Sequence, residues 1–444
     1  MFKITHYSNS FISLKGESSL LVCDPWVGKT TDNGWYSYPI ISAKDIDKDI
    51  FNADYIYISH IHCDHIDIKT LKKFKNKNFK FIIKKFKSNN HLKKRLQKYF
   101  KNEIIELTEF KKTRINKDFS LAIIPQFISN NENLNNNISY EIDTSLVVQF
   151  NKSKKIFYNN VDLPNNLSVM KKINDFVKME FKKKINIFCC GIGAASEFPQ
   201  CFLNIDRKKE QKRITDLCIK KVKGFLQIIK PEIYFPAGGA YAIYGKFNQL
   251  NKYIAQASFP EAKLRLNRFA SKVINIIGGG HIYYEKNTYS FRETNFYELN
   301  ESFIKKISNF KYYYSQKSKK IDKRNLGIIF SKASENYFRI LKKFKIKENW
   351  DIKFNTYKNL QLNKNCLIDK KKSKLIKTYS LKKEDSNFKN KYVLECHLDL
   401  DLFKNLLKGK FPWNTSISGS TILFKRNPNI YNVDLDFSLN FLRV

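Results

Sequence analysis

The sequence has no long hydrophobic run. Nowhere in its 444 residues is there a stretch that approaches the roughly 18 consecutive apolar residues of a membrane-spanning helix, which excludes that class of protein from our expectations. The first segment, MFKITHYSNSFISLKG, is broken up by polar residues, unlike the apolar core of a secretory signal. We therefore predict a cytoplasmic protein with no membrane span.

Cysteine is scarce as well. The eight cysteines include no Cys-x-x-Cys pair, and Cys189 and Cys190 are direct neighbours, which is a poor geometry for a disulfide between them. This pattern argues against a disulfide framework. It predicts reduced, buried thiols of the kind that cytosolic proteins contain.

Acidic residues are strongly outnumbered. The 41 Asp and Glu residues face 81 Lys and Arg residues, which gives a formal net charge of +40. Such a charge is typical of nucleic-acid-binding proteins. Here, however, the lysines are spread along the whole chain, so we predict no specific binding of nucleic acid. An anionic small-molecule substrate is still expected, because net charge alone attracts it.

Strand-like and helix-like segments alternate through the first part of the chain. FKITHYS and SLLVCDP flank a turn at residues 15–18 and predict an N-terminal hairpin, while DYIYIS predicts a short buried strand. The clearest helix signal covers about residues 211–230, where apolar side chains recur at helical spacing and place Leu217 and Val222 on the predicted buried face. This alternation predicts a layered α/β fold.

The composition changes near residue 290. Beyond it come the Lys-rich segments QKSKKIDKR and DKKKSKLIKTYSLKKED, followed by an apparent helix, DLFKNLLKG. We therefore predict a metal-binding domain over residues 1–290 and a smaller C-terminal domain over residues 291–444. The basic runs are interpreted as solvated surface.

Histidine is rare, and nearly half of it is concentrated in one segment. Of the 7 histidines, three lie in SHIHCDHID as His60, His62 and His65, with Asp64 between them, directly after the DYIYIS strand. Neutral imidazole and carboxylate groups are ligands that zinc and non-haem iron prefer. We predict one or two metal ions here, iron or zinc; the alternative is a histidine-rich turn without metal.

The SHIHCDHID motif resembles the metal-binding motif of the metallo-β-lactamase superfamily. Other segments are similar, in the same order, to the CMP-N-acetylneuraminate hydroxylase family: ITHYSNSFISLKGESSLLVCDPWVG, IDTSLVVQFNKSKKIFYNNVD, GIGAASEFPQCF, LQIIKPEIYFPAGGAY and WNTSISGSTILFKRNPNIY. The resemblance implies an αββα sandwich with a smaller C-terminal α+β extension. It also implies His60, His62, Asp64 and His65 as metal ligands, and Asp162 as an aspartate that bridges two metals rather than a simple turn residue.

The sequence departs from the superfamily's pattern at two histidines. One would follow the IIPQF strand, where Phe127 stands, and the other would follow FPAGGAY, yet residues 92–280 contain no histidine. His6, Asp143 and His281 are candidates to complete the site or to orient its ligands. For both histidines an ordinary hydrogen-bonded role is the simpler alternative.

Three functions fit these observations. The resemblance implies a hydroxylase-like enzyme for an anionic N-acyl or nucleotide-activated sugar; the hydroxylases carry a Rieske domain that this sequence lacks, so we expect electrons from a separate Rieske or ferredoxin-type partner. The second is a zinc-dependent hydrolase of a phosphoester, amide or ester, with Asp64 as a catalytic residue that orients the attacking hydroxide. The third is a non-catalytic binding module with a degenerate metal site. Trp26 and Trp35 are candidates to line the substrate pocket, with burial in the core as the alternative.

Overall fold

The computed structural model defines most of the chain. It describes residues 1–30, 33–41, 46, 50–86, 90–126, 143–163, 165–295, 301–316, 323–346, 350–381, 392–432, 435 and 438–444. Phe127, which stands where the superfamily has a histidine, lies outside these residues.

Two large sheets form the first part of the molecule. The first has eight strands in the spatial order β17 (Thr288–Arg292), β16 (Gly280–Glu285), β1 (Phe2–Ser8), β2 (Phe11–Lys15), β3 (Leu20–Cys23), β5 (Tyr55–Tyr57), β6 (Lys80–Lys84) and β7 (Ile104–Leu107). The second has seven, in the order β15 (Lys272–Val273), β13 (Ile233–Pro236), β12 (Ile187–Cys190), β11 (Ile156–Asn159), β10 (Thr144–Phe150), β9 (Phe119–Pro125) and β8 (Thr113–Arg114).

The two sheets pack face to face, with helices on both outer faces. Alternate residues of each strand point to opposite sides: Leu121 belongs to the core between the sheets, whereas Ala122 contacts the outer helices. The outer helices of the first sheet are α1 (Ile68–Leu71) and α2 (His91–Gln97); those of the second are α3 (Leu167–Phe181), α4 (Arg207–Ile229) and α5 (Phe259–Leu266). The αββα sandwich expected from the sequence is confirmed.

The N-terminal hairpin prediction is wrong. The turn at residues 15–18 joins β2 to β3, and β1 pairs with β2 rather than with β3, so the chain begins as a three-stranded meander. The missed turn contains neither glycine nor proline. It is made by Asn9, which adopts the left-handed conformation with φ +41°, as asparagine tolerates better than most residues.

The long helix α4 is confirmed, and its predicted buried face is correct at Val222 but wrong at Leu217. The helix begins at Arg207, because the side chain of Asp206 caps the backbone N–H groups of Lys208 and Lys209. Leu217, predicted to be buried, is 49% exposed. The buried side of the helix consists of Arg207, Thr215, Ile219, Val222, Phe225, Leu226 and Ile229.

The C-terminal part is built on a smaller sheet. Its four strands run in the order β19 (Leu375–Leu381), β18 (Asp351–Tyr357), β20 (Val393–Asp399) and β21 (Leu423–Asn427). The helices of this part are α6 (Glu301–Ser308), α7 (Tyr313–Gln316), α8 (Lys323–Phe344), α9 (Leu400–Leu407) and α10 (Trp413–Ser418). A two-stranded sheet of β4 (Trp35–Ser37) and β14 (Tyr241–Ile243), and short 3-10 helices at Ile50–Asn52, Gly245–Tyr253 and Leu439–Phe441, complete the described elements.

The two parts share one hydrophobic core. Trp35 and Tyr241 from the first part belong to the same buried cluster as Phe403 and Trp413 from the second. The expected boundary at residue 290 falls within β17, so the division into residues 1–290 and 291–444 stays a prediction. Among the described helices, none has both the length and the hydropathy that crossing a membrane requires.

Candidate metal centre

The histidine cluster lies on the loop between β5 and α1. A backbone hydrogen bond of 3.1 Å from His65 N–H to the His62 carbonyl closes a turn within the motif. The loop ends at Asp67, whose side chain caps α1 by accepting from the backbone of Lys69 and Thr70. The motif is therefore held between a strand end and a helix cap.

Sheet topology brings two aspartates from the second sheet to the same edge. Asp143 directly precedes β10 and Asp162 follows β11, and these two strands are antiparallel, so the start of one lies beside the end of the other. The hydroxyl of Thr144 donates a 2.7 Å hydrogen bond to the carbonyl of Ser59 and ties this edge to the histidine loop.

One group of candidate ligands consists of two imidazoles and one carboxylate. His60 Nε2 lies 2.9 Å from His62 Nδ1 and 3.6 Å from Asp143 Oδ1. One ligand atom from each of these three residues falls within 4.8 Å of the others, a spacing that could hold a metal ion. We call this triad the His60 position. Asp143, a candidate of uncertain role from the sequence, thus lies beside both histidines.

A second group lies next to it. His65 Nε2 is 3.0 Å from Asp162 Oδ2 and 3.3 Å from Asp64 Oδ2. The ligand atoms of His60, His65 and Asp162 also fall within 4.8 Å of one another. We call His65, Asp162 and the adjoining Asp64 the His65 position, although the group of ligand atoms within 4.8 Å contains His60 in place of Asp64. The structure brings together all five ligand candidates implied by the resemblance, and adds Asp143 to them.

Two residues behind the cluster fix the orientation of the rings. Asp24 Oδ2 accepts from His65 Nδ1 at 2.9 Å and from the Ser59 hydroxyl at 2.7 Å. The Ser59 hydroxyl also lies 2.9 Å from His60 Nδ1. Because the Nδ1 atoms are held from behind, the Nε2 atoms of His60 and His65 face the cluster. The sequence analysis did not predict this role of Asp24. Asp24 directly follows β3, which runs parallel to β5, so its place beside the histidine loop that follows β5 could have been inferred.

The backbone around the site adopts uncommon conformations. Asp24 has φ +42° and Val161, next to Asp162, has φ +50°; for a β-branched residue this is a genuine outlier, with a cost of about 1–3 kcal/mol. The side chain of Asn159 accepts from Val161 N–H at 3.2 Å and holds this turn. A Cβ atom at Gly238 would lie 2.8 Å from Asp162 Oδ1, so a glycine is required beside the ligand.

Burial controls the pKa values of the His60 position. It lowers the pKa of His60 and of His62 to about 4, so both rings are neutral near pH 7 and keep a lone pair for a metal. Burial likewise raises the pKa of Asp143 to about 6. At His65 burial acts against protonation, but the nearby carboxylates outweigh it and raise its pKa well above the usual range.

The cluster carries more negative charge than its own groups balance. Four carboxylates surround three imidazoles, and two of the imidazoles are neutral; the carboxylates belong to Asp24, Asp64, Asp143 and Asp162. Unbalanced charge is expensive in a buried setting. A divalent cation would relieve it, and the mixture of imidazole nitrogen and carboxylate oxygen suits zinc or non-haem iron. The residues present therefore fit a metal.

The two extra histidine candidates lie outside both ligand groups. His6 is fully buried, its Nε2 bonds the carbonyl of Asn9 at 2.7 Å, and burial lowers its pKa to about 4. Asn9 in turn donates to Asp64 Oδ2 at 3.4 Å, so His6 supports a neighbour of a ligand. His281 is half-buried on β16, where it pairs with Thr5.

The two tryptophans differ in their positions. Trp26 is fully buried in the core, which agrees with the structural alternative. Trp35 is also buried, and it stacks on Tyr241 with ring centroids 4.1 Å apart. It nevertheless contributes to the wall of a cavity of about 390 Å³ that reaches His60, His62, Asp64, Asp143 and Asp162. Its volume lies in the usual range of about 300–1,000 Å³ for small-molecule pockets.

The C-terminal part completes this cavity. Thr415 and Ser418 of α10 line it, and Asn414 Nδ2 lies 3.2 Å from His62 Nε2. The neighbouring Trp413 anchors the helix, since its indole N–H donates to the Leu442 carbonyl at 2.9 Å. Asn414 follows His62 by 352 positions, and no local pattern in the sequence connects the two.

Comparison with known proteins supports the resemblance noted in the sequence. No family model matches the chain. The cytidine monophosphate-N-acetylneuraminic acid hydroxylase of Xenopus laevis is 25% identical over 297 residues, which are 62% of this chain and 44% of the relative. The resemblance predicted from the motifs is confirmed. The chain is similar to the CMP-N-acetylneuraminate hydroxylases.

Two further similarities extend the comparison. A protein of Mycobacterium tuberculosis, named as a Rieske 2Fe-2S iron–sulfur protein, is 28% identical over 125 residues, which are 28% of this chain and 24% of the relative. Among solved structures, the metallo hydrolase Igni18 of Ignicoccus hospitalis has a TM-score of 0.42 and 16% identity, over 66% of this chain and 99% of that protein. The chain spans less than half the length of the curated relatives named here.

Changing a ligand candidate should remove bound metal while the fold is retained. We expect His62→Ala and Asp64→Ala to lose most of the metal, because each deletes a donor from one of the two positions. His91→Ala is the control, since His91 is exposed on α2. Elemental analysis of the purified variants measures the effect, with circular dichroism as the check on folding. Metal content equal to that of the parent in both variants would contradict the assignment.

Asn414 should contribute to metal affinity through His62. Loss of a partner that orients a ligand costs about 10- to 100-fold in metal affinity, and we expect Asn414→Ala to fall in this range. Asn405→Ala is the matched control, because Asn405 bonds the carbonyl of Asp401 within α9 and does not line the cavity. Competition with a chelator measures the affinity. Equal affinities of Asn414→Ala and the control would show that the contact is structural only.

Proposed function

We propose that this protein is a metal-dependent enzyme of the hydroxylase type, with iron held by the His60 and His65 positions. Its substrate is an anionic N-acyl or nucleotide-activated sugar, and its electrons come from a separate Rieske or ferredoxin-type protein. The similarity to the Xenopus laevis hydroxylase over 297 residues supports the substrate class and the reaction. The protein named as a Rieske iron–sulfur protein supports a link to that kind of electron donor.

The composition of the His60 position is the observation on which the proposal rests. The superfamily pattern would supply a third histidine; instead a carboxylate, Asp143, lies 3.6 Å from His60 Nε2. Two histidines and one carboxylate with open positions are the donor set of non-haem iron oxygenases, while catalytic zinc uses either three histidines or two histidines and a glutamate. The donor set with Asp143 therefore fits iron, and the similarity to the hydroxylase is the reason for choosing iron over zinc.

Iron bound at these positions would supply oxygen activation. The chain's own residues supply orientation: Asp24 and Ser59 hold the Nδ1 atoms of His65 and His60. Asn9 donates to Asp64 and limits the directions in which that carboxylate can turn. Apolar walls that include Leu163 and Phe225 restrict water in the cavity, which protects a reactive centre from side reactions.

A zinc-dependent hydrolase is the second candidate. The observation in its favour is that, among the described residues, no group of candidate metal ligands contains a cysteine and all eight thiols are free, so these residues form no cysteine site for an iron–sulfur cluster. A hydrolase needs no electrons from outside, whereas a hydroxylase does. In a hydrolase Asp64 would orient the attacking hydroxide.

Asp143→His should separate the two functions. This change restores three histidines at the His60 position, so we expect the preference for iron over zinc to fall and substrate-dependent oxygen uptake to be lost. Asp175→His is the control, because Asp175 is exposed on α3. The measurement is oxygen uptake by iron-loaded protein with CMP-N-acetylneuraminate and a reduced ferredoxin. Uptake unaffected by the substrate in the parent, together with substrate hydrolysis by the zinc-loaded form, would favour the hydrolase.

A further inference from the structure

One lysine faces the same cavity as the metal centre. Lys221 of α4 is half-buried and lines the cavity together with Cys218, Val222 and Phe225 of the same helix. Spacings of three and four residues place these side chains on one side of the helix. The cavity thus has a wall made by α4, and Lys221 is the one Lys or Arg among its described lining residues.

Lys221 differs from two other partly buried lysines, each of which has an acidic partner. Lys155 lies 2.8 Å from Glu232, and Lys246 lies 2.5 Å from Asp399. In the described part of the chain, no such ion pair is formed by Lys221. Its ammonium group lies 5.6 Å from the centre of the Phe225 ring, a contact that stabilises a cation only modestly.

The ionisable groups that influence Lys221 are two thiols, those of Cys190 and Cys218. Burial raises the pKa of Cys190 to about 12 and also raises the pKa of Cys218, so both thiols keep their protons near neutral pH. The same burial lowers the pKa of Lys221. A half-buried cation without a counter-charge, on the wall of a cavity, is suited to bind an anion from outside.

We propose that Lys221 binds the acidic group of the substrate, a carboxylate or a phosphate, inside the metal cavity. This inference rests on the proposed function only in that both place the substrate in this cavity. It adds a residue on α4 that recognises the charged end of the substrate while the ligand candidates lie on the loops of the two sheets. The general positive charge of the chain attracts anions without fixing where they bind, whereas Lys221 binds them at one defined position.

The test compares two small-molecule probes, each of which carries only one of the two acidic groups. N-acetylneuraminate carries a carboxylate and no phosphate, and cytidine 5′-monophosphate carries a phosphate and no carboxylate. Calorimetric titration of zinc-loaded protein gives the Kd of each. For Lys221→Met we expect the Kd of one probe to rise about 10- to 100-fold, because a charge-assisted hydrogen bond is lost. The probe that is affected identifies the acidic group.

Two control variants make the result specific. Lys221→Arg keeps the charge and should bind the affected probe within a few-fold of the parent. Lys220→Met removes an exposed lysine from the same helix and should leave both Kd values unchanged. Equal binding of both probes by Lys221→Met and the parent would overturn the proposal, and so would an equal loss in Lys220→Met.

A second readout separates this proposal from the proposed function. In the protein as purified, inorganic phosphate or acetate should slow the acetylation of Lys221 by an amine-reactive acetylating reagent. Mass spectrometry measures the rate of acetylation at Lys221 relative to the rate at Lys220. If the parent binds neither sugar nor nucleotide but an anion still protects Lys221, the substrate class is wrong and the anion site stands. If neither anion protects Lys221, the anion site is refuted, whatever the metal centre proves to hold.

Discussion

The fold of this protein is organised around a buried excess of negative charge. Carboxylates from both sheets meet three imidazoles at one edge of the sandwich, and the carboxylate oxygens of Asp64 and Asp162 both lie near His65 Nε2, at 3.3 Å and 3.0 Å. Such an arrangement is costly unless a cation neutralises it. The left-handed backbone at Asp24 and at Val161, which precedes Asp162, adds a cost in backbone energy. A bound cation would offset these costs.

The site also depends on the whole chain. The first sheet supplies the histidine loop and Asp24, the second supplies Asp143 and Asp162, and the C-terminal part contacts His62 through Asn414. A hydrophobic core that includes Trp35 and Trp413 joins the two parts. Because the cavity has walls from α4 and α10, its shape is set by the packing between these parts as much as by the metal-binding loop. We therefore regard the C-terminal part as a component of the site.

Much of this arrangement was predictable from the sequence, and the limits have clear physical causes. The His60, His62 and His65 cluster is a local motif, so neighbouring residues alone were enough to predict its chemistry. The alternating strands and helices predicted a layered α/β fold, and the resemblance implied its αββα arrangement. The turn at Asn9 was missed because it uses a left-handed asparagine in place of glycine. The contact between Asn414 and His62, and the exposure of Leu217, depend on long-range packing that periodicity does not reveal.

We infer two metal positions, of which Asp143 serves one. A crystal structure of the iron-loaded protein, with anomalous scattering recorded at the iron edge, would show them. We expect two peaks, one bound by His60, His62 and Asp143 and the other by Asp64, His65 and Asp162. A single peak, or a first peak from which the Asp143 carboxylate is turned away, would contradict this inference.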